Sequence, residues 1–176
     1  MRPPLLPTLS RKVSCGVWPD LKDQIAIEDV QLQQLLDVHK PLLEKCRSEV
    51  PNPIELSALA ALLHSFYTGL ENLFRRVAVE IDGGILQGDQ WHRRLLQQMT
   101  EPGEARPAVI SLELYGQLHP YLQFRHVFRN SYSFQLRWDK MAPLVLHYEE
   151  AFAALRAEIS TFSAQMDERY GSSGVL

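Results

Sequence analysis

The segment Phe124-Arg125-His126-Val127-Phe128-Arg129-Asn130-Ser131-Tyr132 gathers side chains suited to phosphate chemistry within nine consecutive residues. Its composition predicts a helix, and a helix turns by about 100° per residue, so positions three, four and seven apart share a side. Arg125, Arg129 and Tyr132 then form one stripe, with His126 and Asn130 beside it. Phe124, Val127 and Phe128 take the opposite side and are expected to face a core. Guanidinium groups offer paired contacts to phosphate oxygens. An imidazole moves a proton near neutral pH. RNA needs only these functions to be cut, because its own 2′-hydroxyl is the nucleophile. The same arc can equally be a solvated helix face, where arginines four apart merely repel slightly.

Other sites are poorly supported. Gly83-Gly84 has neither the spacing nor the preceding strand of a dinucleotide-binding turn. There is no Gly-x-Ser-x-Gly elbow and no His-Glu-x-x-His pair, and the carboxylates are scattered rather than paired. No metal ligand set and no cofactor are expected. Trp91-His92 is a small signal, more in keeping with packing and a surface or capping histidine.

The elements that must hold the arc read as helices almost throughout. The first is expected over about Asp20 to Glu49, with Leu32, Leu35, Leu36, Leu42 and Leu43 apolar and a kink at Pro41. Asn52-Pro53-Ile54-Glu55 is a start signal: Asn52 caps, Pro53 suits the first helical position, and Glu55 completes a capping box. The helix that follows carries Leu59, Leu62, Leu63, Phe66, Leu70, Leu73, Phe74, Val77 and Ile81 as a broad core stripe, with His64, Tyr67 and Glu71 at its edge. Gly83-Gly84 ends it. Asp89 is expected to cap a short third helix reaching Met99, and Ser111 a fourth helix that contains the polar arc and is bent at Pro120. A fifth is expected from about Asp139 to Met166. No strand pattern or repeat is visible. The fold class is all-α, an antiparallel helical bundle of about five helices.

A chain of 176 residues suits one domain with an ordinary core. We expect an N-terminal extension over residues 1–18, a helical domain over 19–168 and a flexible tail over 169–176. A net charge of −3 gives no footprint for nonspecific duplex DNA, so any nucleic-acid contact must come from a local patch. No apolar run is long enough to span a membrane. Cys15 and Cys46 lack ligand spacing, which argues for reduced thiols in a cytoplasmic protein.

With these residues set out, the chain resembles the HepT-like ribonuclease family of the HEPN superfamily, from about Leu21 to Met166. The resemblance is carried by Phe66-Tyr67 with Glu71-Asn72, Asp82-Gly83-Gly84, and Trp91-His92 with Leu95-Leu96 and Met99. Arg106-Pro107 with Val109-Ile110 and the segment from Phe124 to Asn130 with Tyr132 complete it. It implies a toxin that forms a homodimer and cleaves RNA, without metal, in a cleft between the fourth helices. It also implies a nucleotidyltransferase antitoxin that silences the toxin by adenylylating a tyrosine near the active-site motif. On this basis Arg125 and Arg129 would bind the scissile phosphate, His126 would transfer the proton, and Asn130 would position the phosphate or 2′-hydroxyl. Tyr132 would accept the modification, Glu71 would orient an arginine, and His92 would support the site.

The chain departs from the superfamily in one respect. HEPN sequences typically carry an arginine followed after four to six residues by a histidine, and no arginine here has that spacing. Either His126 serves instead, across a two-fold axis, or the nuclease is weakened. A different class of reading then stands beside the enzyme: a non-catalytic helical partner, or substrate-presenting module, of a nucleotidyltransferase.

Overall fold

The computed structural model describes residues 17–85, 88–129 and 136–171, and all its regular elements are helices. They are α1 (Val17–Lys45), α2 (Pro53–Glu80), α3 (Trp91–Gln98), α4 (Leu112–Arg129), α5 (Trp138–Leu146) and α6 (Tyr148–Tyr170). The all-α bundle expected from the sequence is thus the fold. None of these helices is long and apolar enough to cross a membrane.

α2 is the central element, packed against α1, α3, α4 and α5. Its start follows the local chemistry of the sequence. Asn52 Oδ1 accepts the amides of Ile54 and Glu55 at 2.9 and 3.0 Å, and the Asn52 amide donates to Glu55 Oε2 at 2.9 Å. That capping box satisfies amides a helix start leaves unpaired. The apolar stripe, from Leu59 through Phe66 and Leu70 to Val77, is fully buried. Phe66 sits at the middle of the bundle, edge-on to Tyr121 of α4 and to Tyr148 and Phe152 of α6.

Where α1 crosses α2, Gly69 brings the two backbones close. A Cβ there would lie 2.7 Å from Leu32 Cδ2 and 2.9 Å from Glu28 Oε1. Alanine normally favours a helix over glycine by about 1 kcal/mol, whereas overpacking a buried seam costs about 1–3 kcal/mol. Gly69→Ala is therefore expected to lower stability by about 1 kcal/mol net. A urea-denaturation midpoint equal to or above wild type would show that the seam yields.

Three boundaries differ from the sequence reading, each for a nonlocal or stereochemical reason. α1 is already helical at Val17, the first described residue, and takes in Trp18, which is core: its ring stands edge-on to Phe162 and its Nε1 donates to Asp167 of α6 at 2.9 Å. α3 begins at Trp91 with Gln90 as its cap residue, not Asp89. The chain there turns at Gly88, which has a φ of 126° and accepts the Trp91 amide at 3.0 Å. The single helix expected over Asp139 to Met166 is two. It breaks at His147, whose φ and ψ of −100° and 6° are not helical and whose Nδ1 donates to the Pro143 carbonyl at 2.8 Å. Ser111 does cap α4, its Oγ accepting the Leu114 amide at 3.1 Å while also donating to Glu158 of α6 at 2.6 Å.

Between α2 and α4 the chain is held by one arginine. Arg106 is 2% exposed and uses its whole guanidinium. Nε and Nη2 donate to the two oxygens of Asp82 at 2.7 and 2.6 Å. Nη1 donates to the carbonyls of Glu101 and Pro107, both at 3.0 Å, and Nη2 also donates to that of Gln98 at 3.1 Å. This one side chain ties the end of α2, the end of α3 and the approach to α4 together.

Candidate functional site

Three helices bring Glu71, His92 and Arg125 together. Glu71 lies on the buried face of α2, 7% exposed, and its two oxygens have separate partners. Arg125 Nη2, from α4, donates to Oε1 at 2.9 Å. His92 Nδ1, from the first turn of α3, lies 2.5 Å from Oε2. Arg125 Nη1 also comes within 3.5 Å of His92 Nδ1. Trp91 covers the His92 ring, with centroids 3.6 Å apart. Tyr67, one turn before Glu71, is buried beside them; loss of water pushes its phenol well above the usual range, helped by the Glu71 charge and opposed by Arg125.

The rotation of α4 differs from the arc drawn from the sequence. The core stripe of this helix is Leu114, Leu118, Tyr121 and Leu122, and Arg125 continues it, 8% exposed. Val127, expected to face the core, is exposed instead. Phe124 and Phe128 pack against the core as partly buried residues. His126 and Arg129 are exposed. Arg125 and Arg129 thus sit in unlike surroundings: one is a buried, carboxylate-paired cation, the other lies at the exposed last turn. Asn130 and Tyr132 lie outside the described residues.

One residue that the sequence puts only at the edge of the α2 stripe, with no part in the site, belongs beside the cluster. His64 stands seven positions before Glu71, two turns along the same side of α2. Its ring meets Phe128 of α4 with centroids 5.1 Å apart, and its Nδ1 is buried without a partner among the described residues. Burial, then the charges of Arg125 and Arg129, depress its pKa below that of an ordinary histidine, so the ring stays neutral near pH 7. The seven-residue spacing to Glu71 was the available signal. Nothing in the sequence indicated that α4 would bring two arginines to it.

Chemically, the Glu71 carboxylate fixes the orientation of one guanidinium and one imidazole. A cation paired in this way is rigid and partly neutralised, which leaves the exposed Arg129 as the stronger attractor of a phosphate approaching from solvent. No group of three or more His, Cys, Asp or Glu side chains able to hold a metal ion occurs among the described residues. Cys46 is buried and free.

A family model described as HepT-like protein matches residues 58–166, a span that includes the Glu71, His92 and Arg125 cluster, the Arg106 tie and most of α6. No curated protein and no solved structure matches the chain.

Proposed function

Because the chain belongs to the HepT-like family, helical proteins of the HEPN superfamily that are generally toxins paired with an antitoxin, we propose that it is a cytoplasmic endoribonuclease toxin. It works as a homodimer, and a nucleotidyltransferase antitoxin silences it. The observation that carries the reading is the Glu71–Arg125–His92 network, which fixes Arg125 one turn before the exposed Arg129 at the end of α4. In this reading Arg129, with Arg125 behind it, holds the scissile phosphate, and Asn130 positions the 2′-hydroxyl. His126 takes the hydroxyl proton. The freed oxygen attacks phosphorus, and the 5′-oxygen leaves with a proton to give a 2′,3′-cyclic phosphate and a 5′-hydroxyl.

Purified protein incubated with RNA in EDTA is expected to cut it at an undiminished rate, and Arg129→Ala to lower the rate about 100-fold or more, as when one preorganised charge donor is lost. Activity abolished by EDTA and restored by magnesium would overturn the metal-independent step.

The burial of Arg125 favours a second reading. Its guanidinium is already paired with Glu71, as a structural arginine would be, and no arginine in the chain has a histidine four to six residues on. The protein is then a non-catalytic helical partner of the nucleotidyltransferase. In that case the wild type leaves RNA intact and Arg129→Ala weakens the complex instead.

Regulation adds a further expected result. Tyr132 follows Arg129 by three residues, so a nucleotide attached to its hydroxyl would set an anion within reach of the arginines that hold substrate. Co-expression with the nucleotidyltransferase is expected to raise the intact mass by one or more nucleotide units, and Tyr132→Phe to abolish the increment. An increment that survives Tyr132→Phe would place the acceptor elsewhere.

A further inference from the structure

A cavity of about 330 Å³ opens between α1 and α2, within the size range of small-ligand sites. Gln31 and Leu35 of α1 face Ser65 and Asn72 of α2 across it, with Glu28 and His64 also in its wall. Two features suit it to a nucleobase. The first is a lining that mixes leucine with amide and hydroxyl groups, which matches a flat, largely apolar ring with hydrogen-bonding edges. The second is charge: Glu28 is the one carboxylate in the wall, so a phosphate is repelled there and an uncharged group is not. Burial raises the Glu28 pKa, opposed by the charge of Arg76 and by the hydrogen bond from Asn72, and its carboxylate is an acceptor for the amino edge of a base.

On the far side of His64 the charge reverses. The ring touches Phe128, and the guanidinium charges of Arg125 and Arg129 act on it. His64 is therefore a boundary between an uncharged or weakly acidic recess and a cationic helix end. A nucleotide has the same polarity, with its neutral base at one end and its anion at the other.

We propose that the α1–α2 cavity is a nucleobase subsite, taking one base against Leu35, Gln31 and Asn72 while the attached phosphate passes His64 toward Arg129. The proposal rests on the reading of the protein as RNA-binding, and it assigns to α1, which lies outside the matched span of 58–166, a part in selecting the substrate.

The test measures binding, by calorimetry, of the four nucleoside 3′-monophosphates, ribose 5-phosphate and inorganic phosphate to the full chain. At least one nucleotide is expected to bind ten-fold or more tightly than ribose 5-phosphate. Ser65→Trp fills the recess from an exposed position, and Gln31→Leu removes an amide at its exposed rim. Each is expected to remove most of the preference for a base while leaving inorganic phosphate binding unchanged. Arg129→Ala is expected to weaken every phosphate-bearing probe alike. Equal affinity for nucleotides and ribose 5-phosphate, or a base preference untouched by both cavity variants, would overturn the subsite. Should Ser65→Trp fail to fold, Gln31→Leu decides. Base-dependent binding without RNA cleavage would overturn the cleavage step and leave the subsite standing.

Discussion

Arg106→Ala is expected to remove about 3 kcal/mol of folding stability, the low end of the range for breaking a buried ion pair by deleting one partner, because Arg106 is buried while Asp82 reaches solvent. Asp82 would keep its charge at the end of α2 without a counter-ion, and the carbonyls of Gln98, Glu101 and Pro107 would each lose a donor. Domains of this kind are stable by only about 5–15 kcal/mol in total, so such a loss is a large share. Arg106→Lys should recover little of it. An ammonium carries three donors at one point, whereas the guanidinium here serves five contacts in several directions. Urea denaturation of the three proteins is the measurement. A loss below about 1 kcal/mol for the alanine variant would mean that water replaces the arginine at low cost.

Glu71→Ala is the second large effect. It leaves Arg125 nearly buried with no carboxylate and frees His92, and is expected to cost about 3–5 kcal/mol. Removing both charges gives the decisive comparison. In Glu71→Leu with Arg125→Met no ion is stranded, and stability should return to within about 1–2 kcal/mol of wild type, since apolar replacement of a buried pair is often neutral. If the double variant is as unstable as the single one, the pair is not the source of the loss. RNA cleavage by a folded double variant then separates the roles of the two arginines. Retained activity would leave Arg129 as the phosphate ligand, while lost activity would bring Arg125 into the chemistry.

Much of the fold was legible because it is locally determined. The capping box at Asn52, the cap at Ser111 and the apolar stripe of α2 are all set by residues within a few positions of one another. What the sequence hid was decided at a distance. Residue type suggests an arginine in solvent, which puts Arg125 on the polar arc and Phe124, Val127 and Phe128 toward the core. The burial of Arg125 becomes affordable only through Glu71, 54 residues away, and that pairing has no local signature. His64 is visible at the edge of the α2 stripe but has no part in the site as read from sequence for the same reason, since its neighbours Phe128, Arg125 and Arg129 belong to another helix. The break at His147 arises from a side chain that competes for a backbone carbonyl four residues back, an option that apolar periodicity does not register.

The contact of Trp18 with α6 has a consequence for the order in which the molecule assembles. The hydrogen bond from Trp18 to Asp167 joins residues 149 apart, and Asp29 with Arg156 closes a span of 127 on the same seam. The Glu71–Arg125 contact spans 54 and the Glu71–His92 contact only 21. Closing the longest loop directly costs about 0.9 kcal/mol more in chain entropy than closing the span of 54, by the logarithmic dependence on length. Nucleation is therefore favoured among α2, α3 and α4, with α1 and α6 meeting after the rest has condensed. Late closure puts the same seam among the first to open. Indole emission from Trp18, sequestered only when its helix has docked, would report that final step.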